Sequence, residues 1–97
     1  MNGQQGGQQR VDIKANDETM KGRYANMMQV AHTKEEFALD FMLVTPPAGQ
    51  LVSRVITSPG HAKRILKALE ENLANYEKQF GAIETAEGPS GHIGFQA

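Results

Sequence analysis

The chain has 97 residues, 10 Lys and Arg against 11 Asp and Glu, and a formal net charge of -1. A chain this short forms one domain with a small core, burying about two-thirds of its unfolded surface, and its near-neutral balance gives no global field to attract nucleic acid or acidic membrane. There is no cysteine, which excludes disulfide frameworks, thiolate metal sites, iron–sulfur clusters and cysteine nucleophiles.

Residues 1–10, MNGQQGGQQR, have no apolar side chain after the initiator Met. Ordering them costs entropy without return, so a disordered Gln/Gly-rich arm is expected. The same stretch lacks the apolar centre of a signal peptide, and no run of about 18 apolar residues occurs to span a bilayer. The expectation is a cytoplasmic protein without membrane contact.

The folded domain is expected over 11–83. Residues 11–15, VDIKA, alternate apolar and polar, and 16–22 form a polar connector. A strand follows over 23–32, with Tyr24, Met28 and Val30 on one face and Ala25, Met27 and Ala31 on the other. Lys34, Glu35 and Glu36 make the turn into FALDFMLV, 37–44, where Phe37, Leu39, Phe41 and Leu43 share one face. This is the clearest period-two signal in the chain and predicts the core face. TPPAGQ, 45–50, is expected to interrupt the ladder because Pro46 and Pro47 have no N–H to donate, and LVSRVIT, 51–57, resumes it. The reading is a meander of three or four antiparallel strands.

Ser58 fits an N-cap and Pro59 the first helical position, where a missing donor costs nothing. Ala62, Leu66, Leu69, Leu73, Tyr76 and Phe80 then recur at alternating spacings of four and three, Ile65 widens the stripe, and Gly81 fits the C-terminal cap. Strands followed by one long amphipathic helix predict an α+β fold with the helix packed on the sheet. The reverse of the sheet, with Ala38, Met42 and Val44, is less polar than a solvated face, so a second copy or another partner is expected to cover it. Beyond 83, Gly88, Pro89, Gly91 and Gly94 break every period; 84–97 reads as a flexible tail in which Ile93 and Phe95 are candidates for docking.

The motifs through this domain are G-x-Y-x-N at Gly22, Tyr24 and Asn26, and E-F-x-x-D-F at Glu36, Phe37, Asp40 and Phe41. R-x-x-x-[ST]-P-x-H-A-K-R follows at Arg54, Ser58, Pro59, His61, Ala62, Lys63 and Arg64, with Tyr76, Glu77, Phe80 and Gly81 closing the pattern. Over 11–83 the chain resembles the small bacterial and archaeal domain-of-unknown-function family numbered three-four-six-seven. The resemblance implies the fold and supplies no activity, substrate or catalytic residue.

Asp40 lies mid-strand between apolar neighbours, and a hairpin across TPPAGQ brings Arg54 opposite it. A structural ion pair that fixes strand register is the expected role, because a half-buried charge needs a partner and no second titratable group suggests acid–base chemistry. His32, His61 and His92 have no convergent metal-ligand spacing. The serines have no G-x-S-x-G context, and the glycines of EGPSGHIGF follow no strand and open no helix. No catalytic residue, metal or cofactor is therefore expected.

The start of the helix remains. Unpaired amides near Ser58 and His61, with Arg54, Lys63, Arg64 and Lys67, form a candidate anion or nucleic-acid contact. The charges of this helix run against its dipole, basic residues in the N-terminal half and Glu70, Glu71 and Glu77 in the C-terminal half, which points to an offsetting acidic group of the protein such as Glu35 or Glu36, a partner subunit or a nucleic-acid phosphate. The reading favoured by the sequence is a non-catalytic, homodimeric structural or protein-interaction module. The alternative is a nucleic-acid or phosphate-binding protein that uses the helix start.

Overall fold

The computed structural model describes residues 8–95; most of the expected arm, residues 1–7, and the last two residues of the expected tail lie outside them. Residues 8–16 have neither helix nor strand, so the alternation at 11–15 forms no strand. Val11 and Ile13 are exposed, for alternation yields a strand only where a neighbouring strand accepts its hydrogen bonds. The expected connector contains a short helix, α1 (Asp17–Lys21). The Asn16 side chain accepts from the Thr19 N–H at 2.8 Å, and Asp17 and Glu18 lie at the positive end of the helix.

Three strands follow: β1 (Met27–His32), β2 (Phe37–Thr45) and β3 (Ala48–Thr57), paired antiparallel in the order β1-β2-β3. At the first turn His32 stacks on Phe37, ring centroids 5.2 Å apart, while the Thr33 hydroxyl accepts from the N–H groups of Glu35 and Glu36. The second turn is tighter than the sequence reading allowed. Thr45 already pairs with Ala48, so only Pro46 and Pro47, joined by a cis peptide bond, leave the ladder. Both prolines lie in the turn itself, where no ladder donor is required, and Ala48, Gly49 and Gln50 join β3.

Phe41 pairs with Ser53 and Met42 with Leu51. Val52 is thus an extra residue in β3, a bulge that shifts the alternation of the strand by one.

After β3, Ser58 accepts from the His61 N–H at 3.1 Å and α2 (Pro59–Phe80) begins with Pro59 in its first turn. Gly81 ends it at φ 98, in the left-handed region that side chains disfavour. A three-stranded antiparallel sheet followed by one long helix is an α+β arrangement, and on this point sequence and structure agree.

The placement of the helix is the main correction. α2 does not lie across its own sheet: Leu69 is 58% exposed and Phe80 66%, with Leu66, Leu73 and Tyr76 equally uncovered. A single residue, Ser58, joins β3 to α2, whereas a strand-to-helix connection usually takes about 2–6 residues. With no slack to turn back, the helix runs away from the sheet. The radius of gyration is 17.7 Å, against about 12.5 Å for a compact domain of this length.

The core is displaced accordingly. The expected core face, Phe37, Leu39, Phe41 and Leu43, is only half-buried. The buried residues Asp40, Met42 and Val44 belong to the reverse face. There the C-terminal segment brings Ile93 and Phe95 to a groove of about 610 Å³ that Met42, Val44, Pro47 and Leu51 also line.

Candidate functional site

Asp40 and Arg54 are cross-strand partners in the β2–β3 ladder. Arg54 Nε donates to Asp40 Oδ1 at 2.7 Å and Nη2 to Oδ2 at 2.8 Å, a bidentate pair. The carboxylate is nearly covered, with 11% of the Asp40 side chain exposed, while the Arg54 side chain is 52% exposed. The Arg54 hydrogen bond holds the Asp40 carboxyl below its ordinary value; burial opposes this, and the Arg54 charge adds to the lowering. The same hydrogen bond raises Arg54, helped by the Asp40 charge. The Phe95 ring lies 6.0 Å from the guanidinium carbon, so the cation also has an aromatic face beside it.

A sign follows for acid unfolding. Because its folded value is depressed, Asp40 contributes stability that is fully present above its unfolded value, near pH 4, and lost as pH falls through the folded one. Asp40→Asn is expected to lower the urea midpoint at neutral pH and to flatten its decline below about pH 4. A variant whose midpoint falls with acid as steeply as that of wild type would assign the acid limb to other groups.

The residues expected at the helix start divide between two places. Arg54 is on the sheet, engaged by Asp40, whereas Ser58, His61, Lys63, Arg64 and Lys67 belong to the cap and first turns of α2. The Ser58 hydroxyl satisfies the His61 N–H. Lys63, Arg64 and Lys67 are exposed and form no ion pair among the described residues. Nothing in this geometry joins the two groups into one anion pocket.

Two uncovered apolar surfaces dominate instead. One is the front of the sheet. Met28 and Val30 pair with Phe41 and Leu39 from β1, and Val55 pairs with Leu39 from β3; cross-strand partners share a face, and all three are more than two-fifths exposed. The other is the α2 stripe from Leu66 to Phe80, where the Tyr76 and Phe80 rings meet at a tilt of 48°, centroids 4.9 Å apart.

Asn26, the residue before β1, ends the G-x-Y-x-N motif. Its amide Nδ2 donates to the Val44 carbonyl at 2.9 Å and its Oδ1 accepts from the Val44 N–H at 2.8 Å, while its own backbone N–H donates to Met42. The side chain thus supplies the next rung of the β1–β2 ladder in place of a backbone. An Asn just before an apolar strand is the only sequence signal of this arrangement.

Among the described residues no helix is long and apolar enough to cross a membrane. No curated protein and no solved structure matches the chain. The family described as Protein of unknown function (DUF3467) matches residues 1–85, nearly the whole chain, and the protein belongs to that family.

Proposed function

We propose that the protein is a homodimeric protein-interaction module that works in the cytoplasm and catalyses no reaction. One observation carries this reading: the amphipathic stripe of α2 and the front of the sheet are both uncovered, and among the described apolar residues only Met42 and Val44 are buried. Fully burying a Leu or Phe side chain stabilises by about 1.5–3 kcal/mol, so a single chain forgoes most of the burial that usually sustains a domain of this length. A second copy is the partner always present at the same concentration, and closed twofold dimers are the commonest assembly of identical chains.

Light scattering after gel filtration is expected to give the mass of two chains at micromolar concentration. A single-chain mass that persists as concentration rises would overturn the proposal. Binding of DNA or RNA that weakens steeply between about 50 and 200 mM salt would replace it with a phosphate-binding role for Lys63, Arg64 and Lys67.

A further inference from the structure

We infer that two copies associate through α2, antiparallel, about a dyad beside Glu71. The inference rests on the homodimer reading and specifies its geometry. Ala62, Leu66, Leu69, Leu73, Tyr76 and Phe80 alternate spacings of four and three, the seam of a two-helix coiled coil. This seam is self-complementary in one register. With the helices antiparallel, Leu69 faces Leu73 of the second copy, Leu66 faces Tyr76, and Ala62 faces Phe80, so the three pairs share one midpoint. The bulky Phe80 ring meets the smallest side chain of the seam. A parallel pair would set Ala62 on Ala62 and Phe80 on Phe80, thin at one end and overfilled at the other.

Charge selects the same orientation. The first turn of α2 has no acidic residue, and Lys63, Arg64 and Lys67 precede Glu70, Glu71 and Glu77, opposite to what a lone helix dipole favours. In the antiparallel pair the basic half lies beside the negative C-terminal end of the other helix, and the acidic half beside its positive N-terminal end. Lys63 and Glu77 both adjoin the seam and face each other across it, twice by symmetry. One oxygen of Glu77 accepts from the Ile83 N–H at 2.8 Å, which fixes the carboxylate, and the other has no partner among the described residues. The absence of ion pairs within α2 leaves these charges available to a second helix. The sheets then stand at opposite ends of the helix pair, each near the Phe80 end of the other chain.

Because the chain has no cysteine, introduced thiols read the arrangement directly. Lys63→Cys mixed with Glu77→Cys is expected to form a disulfide-linked dimer under mild oxidation, Lys63→Cys alone is not, and Glu70→Cys, close to the dyad, links to itself. Self-linking of Lys63→Cys would establish the parallel pair and overturn the inference. No link from any variant, with a two-chain mass retained, would place the interface elsewhere and overturn it while leaving the homodimer; a single-chain mass would overturn both. A second measurement does not depend on thiols. Lys63→Glu and Glu77→Lys are each expected to weaken self-association on the order of tenfold, and an equimolar mixture to regain wild-type affinity, because only the mixed pair restores both charge contacts. A mixture no tighter than its components would overturn the charge pairing.

Discussion

Leu69→Asp combined with Leu73→Asp is expected to yield a single-chain species in which α2 has largely melted. Both side chains lie in the exposed stripe, and each loses about 1.5–3 kcal/mol of burial when a partner can no longer cover it. Two positions in two copies make this about 6–12 kcal/mol per dimer, comparable with the entire stability of a small domain, about 5–15 kcal/mol. Without packing, α2 is an isolated helix, and isolated helices of modest propensity are marginal in water. Light scattering reads the mass and far-ultraviolet circular dichroism the helix content. Lys78→Asp, a polar change off the stripe, serves as control and should alter neither. A double variant that keeps a two-chain mass and full helicity would show that the stripe is not the interface.

The second large effect is expected at Asn26. Asn26→Ala strips partners from both the N–H and the C=O of Val44, a residue 8% exposed in the middle strand of the sheet. A buried backbone group left unpaired costs about 1–3 kcal/mol, so the loss should reach about 2–4 kcal/mol, read as a lowered urea midpoint. Asn26→Asp keeps the acceptor but sets a carboxylate oxygen against the Val44 carbonyl, and should recover little. An unchanged midpoint for Asn26→Ala would mean that water replaces the side chain at no cost.

What the sequence made legible was governed by local chemistry. Ser58, Pro59 and Gly81 delimit α2 because caps act within one turn of the chain. The alternation of Phe37, Leu39, Phe41 and Leu43 marks β2 because every second side chain must leave the same face. The charge pair of Asp40 and Arg54 was legible, but its register was not set by the turn alone: Thr45 opposite Ala48 would bring Ser53 to Asp40, and the extra residue Val52 puts Arg54 there instead. What the sequence did not disclose is non-local. Alternation at 11–15 looks the same with or without a neighbouring strand. The same amphipathic stripe suits a helix on its own sheet or one on another molecule, and the length of the connection at Ser58, rather than the stripe, separates the two. Asn26 left no periodic trace because it acts as a substitute for backbone. At the candidate site, Arg54, Lys63, Arg64 and Lys67 looked like one basic group by composition, yet the bidentate hold of Asp40 removes Arg54 from it.

The extra residue in β3 affects how the molecule avoids its own kind in the wrong place. In the order β1-β2-β3 the ten-residue β3 is an edge strand, and a long, flat edge is a template on which any extended chain can add by backbone pairing, the first step towards fibrous aggregates. Val52 interrupts that template near its middle. The bulge bends and further twists the strand, so the outward-facing N–H and C=O groups before Val52 and those after it no longer lie in one straight row. An incoming strand can pair with one half of the edge or the other, and neither half is long enough to hold it firmly. The edge is therefore a poor template for backbone pairing, however much apolar side-chain surface lies uncovered beside it.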